Sequence, residues 1–162
     1  MLNNTQPLSR MYRKQLYFLI VLLVSGAIVV YAEGDLEPRA IAEMRTETIN
    51  VLGEDIVVRV AHTAADQKRG LKGVTSLTDA QGMLFSFGVA TEVSFWNQDM
   101  DIPFDLIWIK NERVVGMEHA VPAYAAGERI VTSPGVVTHV LELASGWAER
   151  HGLRMGDIIS GL

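Results

Sequence analysis

The stretch LIWIKNERVVGMEH, residues 106–119, indicates the fold class of this chain more clearly than any other segment. Two mainly apolar runs, at 106–109 and 114–119, contain the β-branched and aromatic side chains that are typical of strands. Between them lie four polar residues, 110–113, a length that suits the turn of a β-hairpin. We therefore predict two antiparallel strands here.

Strand patterns of the same kind recur on both sides of this hairpin. They are predicted at 48–52 and 55–61, joined across Gly53 and Glu54, and at 83–87, 93–96, 136–143 and 157–159. Thr63 is suited to cap a short helix over 64–69 that Gly70 ends, and Ser145 to cap one over 146–151 that Gly152 ends. This pattern predicts a mainly β fold with two short helices, a compact, partly closed β-barrel or a pair of packed sheets.

An apolar stretch precedes this domain, beginning at Leu16 and ending at Val30. Its length is near the minimum with which a helix spans a bilayer, so we predict a transmembrane or signal helix and a membrane contact. Val30-Tyr31-Ala32 would serve as a cleavage site, and both a cleaved signal and a retained anchor remain open.

Charges flank the apolar stretch asymmetrically. Arg10, Arg13 and Lys14 precede it, whereas acidic residues from Glu33 onward follow it. The positive-inside rule then predicts a cytoplasmic N-terminus and a body on the extracytoplasmic, periplasmic side. The predicted organisation is a cytoplasmic tip with the signal or anchor helix over 1–32, a charged stalk over 33–47 and a β-rich domain over 48–162.

Composition excludes several classes of function. Three of the 14 Lys and Arg residues precede Glu33 while all 19 Asp and Glu follow, so the body has 14 − 3, or 11, basic side chains and a net charge of −8. Such a body lacks the basic patch of a nucleic-acid binder, and no nucleic-acid partner is predicted. The absence of cysteine excludes disulfides, thiolate metal sites and Cys nucleophiles.

A series of short motifs resembles a known family. The motifs are, in order, Arg69-Gly70-Leu71; Gly82-Met83-Leu84-Phe85 with Phe87; Phe95-Trp96; Ile102-Pro103-Phe104-Asp105; Val140-Leu141-Glu142-Leu143 with Gly146; and Gly152 with Gly156-Asp157. In this order and spacing they resemble the domain-of-unknown-function 192 family over residues 57–159. The resemblance implies a mostly β domain that is frequently exported or lipid-anchored and has no established biochemical role.

The sequence departs from the family pattern around the Trp motif. Where relatives continue with Met, a cation or other polar residue, and Asn-Thr, this chain has Asn97, Gln98, Asp99 and Met100. Lys72 stands where a Met usually follows Gly-Leu, and Phe104 replaces the usual Leu before Asp105. Any binding site centred on this loop in relatives is therefore expected to be altered here.

The densest polar cluster surrounds the same motif. Trp96 beside Asn97, Asp101 and Asp105 is typical of carbohydrate or peptide recognition, in which a ring stacks on the ligand and polar groups bind its edge. The alternative, which we favour, is that Phe95 and Trp96 fill the core while Asp101 and Asp105 accept bonds from backbone amides near Pro103. Asp99, Asp101 and Asp105 lack the spacing of a calcium loop, so no metal site is predicted.

Arg69 and Glu142 lie in two of the matching motifs, and a buried ion pair or a backbone clamp would suit either. The four histidines show no metal-binding spacing, and no Gly-x-Ser-x-Gly elbow is present. We therefore predict no catalytic residue and no cofactor, and take Trp96, Asn97, Asp101, Asp105, Arg69 and Glu142 as binding candidates.

These observations favour an exported or membrane-anchored binding or accessory module of the cell envelope, acting on an envelope protein or a glycan. One alternative is an accessory subunit of a membrane complex, held by its anchor helix. The other is an enzyme acting on envelope glycans through Asp105 or Glu142.

Overall fold

The computed structural model describes residues 20–24, 27–31 and 41–162, and the chain divides into two units, residues 1–35 and 36–162. In the first unit, β1 (Ile20–Val24) and β2 (Ala27–Tyr31) pair as antiparallel strands. The helix predicted between Leu16 and Val30 is not confirmed, because the described residues of this stretch, 20–24 and 27–30, are strands, while residues 16–19 and 25–26 lie outside the described part. Within the described residues, no helix is both long enough and apolar enough to cross a bilayer.

The described residues of the second unit form nine strands. They are β3 (Thr46–Val51), β4 (Glu54–Ala61), β5 (Gln81–Thr91), β6 (Ser94–Trp96), β7 (Phe104–Lys110), β8 (Arg113–Val121), β9 (Ile130–Thr132), β10 (Val137–Ala144) and β11 (Ile159–Ser160). Seven of them form one sheet in the order β11-β3-β4-β5-β10-β7-β8, in which β4 and β5 are parallel and the other neighbours antiparallel. β6 and β9 form a separate antiparallel pair.

The two edges of the large sheet approach each other where β8 begins. Arg113 lies opposite Ile158 in an antiparallel bridge. On either side of it, the N–H of Val114 donates to the carbonyl of Asp157 at 2.9 Å, and the N–H of Ile159 donates to the carbonyl of Glu112 at 2.8 Å. The sheet is therefore curled into a half-barrel. This confirms the predicted mainly β fold with two short helices.

Both faces of the central strands are buried. All six residues from Phe104 to Ile109 on β7 are buried, as expected for a strand that is covered on both sides. The first core, on one face, includes Ile107, Leu141 and Trp147, and the second core, on the other, includes Phe85, Leu106, Trp108 and Val140. Met44, which follows a 3-10 turn at Ile41–Glu43 in the predicted stalk, packs into the second core.

The first helix, α1 (Ala64–Arg69), confirms the sequence prediction at both ends. The hydroxyl of Thr63 accepts the N–H of Asp66 at 3.1 Å, which satisfies a backbone donor of the first turn. Gly70 ends the helix with φ +54°, and its N–H donates to the carbonyl of Asp66.

The second helix, α2 (Trp147–His151), begins differently from the prediction. Gly146, not Ser145, is its N-cap, and no cap side chain accepts a helix N–H. The carboxylate of Asp105 on β7 accepts the N–H groups of Gly146 and Ala148 instead, both at 2.9 Å. The predicted Ser145 cap is therefore wrong, whereas the predicted end at Gly152 is confirmed.

The predicted hairpin is confirmed as β7 and β8. Its turn residues, Asn111 and Glu112, have φ values of +50° and +63°, the left-handed conformation that two-residue hairpin turns require. Other boundaries differ from the prediction. β5 continues to Thr91, β9 was not predicted, and β11 begins two residues after Asp157, whose carboxylate accepts the N–H of Arg154 in a turn.

Candidate functional site

A cleft of about 580 Å³ opens beside the second core. Its walls come from the end of α1 and the residues that follow it, from β5, and from β6 with the loop residues 98–100. Glu142 of β10 also lines it. These elements are distant in sequence, so it is the curled sheet that brings them together.

Aromatic side chains form the apolar wall of the cleft. Phe85 and Phe95 meet edge to face with ring centroids 4.8 Å apart, and Phe95 meets Trp108 in the same way at 5.7 Å. Edge-to-face pairs of this kind add to the stability gained by burial. Trp96 lies further out, 42% exposed, with Tyr124 edge to face against it at 6.5 Å.

Glu142 is the most unusual side chain of the cleft. It lies on the central strand β10, opposite Met83 of β5 and Leu106 of β7, and is 1% exposed. Neither carboxyl oxygen has a hydrogen-bond partner among the residues that the structure describes. Burial raises the pKa of Glu142 to about 8, so the group is mostly protonated at neutral pH.

Arg69 does not supply the missing partner. It is the last residue of α1 and is partly buried, but no hydrogen bond joins it to either oxygen of Glu142. Neither carboxyl oxygen accepts a backbone N–H within the described part of the chain, so the backbone clamp considered from sequence is not formed at Glu142.

The rim of the cleft carries charged side chains. The ammonium of Lys72 lies 2.6 Å from a carboxylate oxygen of Asp99, and both side chains are about half exposed. A second cation, Lys68, also lines the cleft. An exposed pair such as Lys72–Asp99 contributes little to stability, at most about 1 kcal/mol, but it defines the shape and charge of the opening.

Asn97 is buried and holds a neighbouring loop in place. Its side-chain N–H groups donate to the carbonyls of Pro122 and Gly127 at 2.9 and 2.8 Å, and its side-chain oxygen accepts the N–H of Arg129 at 2.8 Å. All of its near partners are backbone groups. The side chain therefore holds the segment 122–129, and it is not among the residues that line the cleft.

Asp105 has a similar structural position. It is fully buried, and besides the two bonds to the start of α2 it accepts the N–H of Ala120 at 2.9 Å. The favoured sequence interpretation expected bonds to backbone amides, and for Asp105 such bonds are present, although to residues distant from Pro103 in sequence. The same interpretation placed Trp96 in the core, which is wrong, because this side chain is exposed. Asp101 is exposed and is not among the residues lining the cleft.

No metal-binding group is formed within the described residues, where no three His, Asp or Glu side chains converge. Of the three aspartates considered from sequence, Asp99 pairs with Lys72 and Asp105 binds backbone amides.

Of the six candidates, the structure brings Trp96 and Glu142 to one cleft and gives Asn97 and Asp105 structural bonds. Sequence reasoning did not single out Phe85, Phe87 or Phe95 as a ligand-facing wall. The sequence does carry one signal for the buried acid, because Glu142 stands in the otherwise apolar run 140–143.

The comparisons with known proteins place this chain in a family and identify no activity. The profile of DUF192, described as “Uncharacterized ACR”, matches residues 46–161. No curated protein matches the chain significantly. A crystal structure of a protein of unknown function from Novosphingobium aromaticivorans DSM 12444 is similar, with 27% identity, a TM-score of 0.70, and coverage of 74% of this chain and 88% of the other.

A second similar crystal structure is of a Sinorhizobium meliloti 1021 protein named for a suggested role as a transcription regulator, with 24% identity and a TM-score of 0.69. The match covers 72% of this chain and 94% of the other, and at this identity the likeness shows the fold alone. Because the family profile spans almost the entire half-barrel, this chain belongs to the domain-of-unknown-function 192 family.

Proposed function

We propose that this chain is a binding module whose ligand occupies the cleft above Glu142. The observation that carries the proposal is the carboxyl group itself, buried on a central strand with neither oxygen bonded within the described residues. A buried polar group without a partner costs on the order of 1–3 kcal/mol or more. A ligand that enters the cleft would supply the missing partner.

We further propose that the module is exported or membrane-anchored, with its body on the extracytoplasmic side, where it serves the cell envelope. This part rests on the apolar stretch from Leu16 to Val30 and the three cations before it. The ligand is then a component of the envelope, a glycan or a segment of an envelope protein.

A second candidate function is catalysis by Glu142. The raised pKa of about 8 is suited to a general acid or base near neutral pH. Most such reactions need another acid, base or nucleophile beside the first. The other acid lining the cleft in the described part is Asp99, which is paired with Lys72 on the rim. Binding is therefore the function that this geometry supports best.

A labelling experiment tests the binding proposal, because the chain has no cysteine and a single introduced one is labelled uniquely. Ser94 lines the cleft, whereas Thr132, whose hydroxyl lies 2.9 Å from that of Ser94, does not. Ser94→Cys and Thr132→Cys each lose the same hydrogen bond, so they form a matched pair.

The two full-length variants would be screened against small fragments by NMR before and after alkylation with a bulky maleimide. We expect fragment binding to be lost after labelling at position 94 and retained after labelling at 132. Fragments that still bind with position 94 blocked, or a screen without any bound fragment, would contradict the proposal. Labelling of Thr132→Cys in cells by a membrane-impermeant maleimide tests the extracytoplasmic location.

A further inference from the structure

The unpaired carboxyl group limits the chemistry of its ligand, and this inference rests on the proposed binding function. Glu142 lies among Met83, Leu106 and the second core, surroundings in which a carboxylate without a cation or donor is strongly disfavoured. The neutral acid is the form expected there, in agreement with the raised pKa. A neutral carboxyl offers one O–H donor beside one carbonyl acceptor.

The other lining residues add shape and charge. The rings of Phe85, Phe87, Phe95 and Trp96 line the cleft and favour a flat apolar body. Besides Glu142, the charged residues that line the cleft are two cations, Lys68 and Lys72, and one anion, Asp99. This net positive charge does not attract a cationic ligand.

We propose that the cleft takes an uncharged, flat ligand whose edge presents a hydrogen-bond donor beside an acceptor, as in a primary carboxamide or a cyclic amide, and that this edge pairs with Glu142 through two hydrogen bonds. Such an edge matches the donor and acceptor of the neutral carboxyl group. An ammonium would match the ionised form only, and a carboxylate would face the lone pairs of the acid's carbonyl oxygen.

A flexible side chain, Met100, lines the cleft together with Glu142. A Cβ atom placed on Gly70 would lie 2.9 Å from the methyl carbon of Met100 and 3.8 Å from the ring of Phe85, so these three residues meet in the cleft wall. Methionine has three rotatable bonds and adapts to irregular spaces at low cost. Met100 is therefore the side chain that we expect to move when a ligand reaches the carboxyl group.

A set of four similar probes tests the ligand class: benzamide, acetophenone, benzamidinium and benzoate. All four share a flat ring and differ in the group attached to it. Benzamide carries a hydrogen-bond donor beside an acceptor, and acetophenone carries an acceptor alone. Benzamidinium carries a cation, and benzoate carries an anion. NMR titration of the full-length protein at pH 7 should show benzamide binding about tenfold more tightly than each of the others, the value of one to two hydrogen bonds. Tightest binding of benzamidinium or benzoate would overturn the inference.

The pH dependence gives a second readout. As Glu142 ionises, the fraction of protein molecules whose carboxyl O–H can donate a hydrogen bond falls. Benzamide should therefore bind about tenfold more weakly at pH 9 than at pH 7. Affinity that rises over this range would show pairing with the ionised form and would contradict the proposal.

Two variants separate the chemistry of Glu142 from its structural effect. Glu142→Gln keeps a donor beside an acceptor, so it should bind benzamide within a few-fold of the wild type and lose the pH dependence. Glu142→Leu removes both groups, fits the apolar surroundings, and should lose benzamide binding. If benzamide does not bind while labelling at position 94 still abolishes binding of other fragments, the ligand class is wrong and the binding function stands.

Discussion

Replacing Glu142 with glutamine should make the stability of this protein less dependent on pH. The pKa of Glu142 is about 8 in the folded protein, against an ordinary value of 4.5. Folding therefore takes up a proton between these two values. The contribution of this group is fully present below pH 4.5 and is lost as the pH rises toward 8, by about 1.4 kcal/mol for each pH unit.

The resulting effect is large for a domain of this size. Between pH 5 and pH 7 the wild type should lose about 3 kcal/mol through Glu142. Typical domains have total stabilities of 5–15 kcal/mol, so the loss is readily measured. Glu142→Gln has no proton to lose and should show none of this decline.

Urea unfolding of the full-length protein at pH 5, 6, 7 and 8 measures the effect, followed by the fluorescence of the fully buried Trp108 and Trp147. The test is how the difference in the free energy of unfolding between Glu142→Gln and the wild type changes with pH. The absolute size of that difference is less informative, because it also includes the cost of burying an amide. Glu128→Gln, which alters an exposed carboxylate, is the control and should follow the wild type. A difference between Glu142→Gln and the wild type that stays constant from pH 5 to pH 8 would refute the reasoning.

The structural residues lead to three further predictions. Asp105→Ala should lower the free energy of unfolding by about 3 kcal/mol or more, because three backbone N–H groups lose their acceptor. The control Asp101→Ala, which alters an exposed side chain, should change it by less than about 0.5 kcal/mol. Equal effects of the two variants in urea unfolding would contradict this prediction. Asn97→Ala should speed hydrogen exchange of the amides in 122–129 by about tenfold or more, with little change in the large sheet. Unchanged exchange in 122–129 would show that the three side-chain bonds of Asn97 are dispensable. Gly70→Ala should cost about 1–3 kcal/mol in thermal unfolding, because φ +54° with ψ −143° is a backbone conformation that side-chain-bearing residues rarely adopt. Gly88→Ala, at an ordinary φ and with nothing within 4 Å of the added carbon, should cost less, and equal losses would contradict this reasoning.

The parts of the fold that sequence predicted correctly are those whose causes are local. Thr63 and Gly70 lie at the two ends of α1, and their capping bonds depend on residues within one helical turn. The β7–β8 hairpin likewise depends on two apolar runs and the polar residues between them. Interactions of this range can be read from neighbouring residues.

The errors have causes that are distant in sequence. Ser145 is the kind of residue that caps helices, but the N–H groups at the start of α2 are accepted by Asp105, 41 and 43 residues away. The same carboxylate was a binding candidate because its acid chemistry was visible and its backbone partners were not. The backbone partners of Asn97 were hidden from sequence for the same reason, since they lie 25 to 32 residues further on.

The departures from the family pattern gain a meaning in three dimensions. Lys72 and Asp99 stand at positions where other residues were expected, and in the structure their charged groups meet at the rim of the cleft. Their separation of 27 residues concealed this from the sequence. The two departures therefore lie at one place in the structure, and both residues line the cleft that Glu142 also lines.

The placement of Glu142 is difficult to explain by stability alone. On the central strand β10, both neighbouring strands present apolar residues to it, so a leucine would fill the position without an unbonded polar atom. Proteins tolerate such costs mainly at functional sites, where a strained or unsatisfied group is stabilised only when the ligand binds. If this holds, Glu142→Leu should be more stable than the wild type in the absence of ligand and should lose the stabilisation that ligand gives the wild type. A Leu variant less stable than the wild type at pH 8 would mean that the carboxyl group has a structural role, and the argument for a binding site would lose its main support.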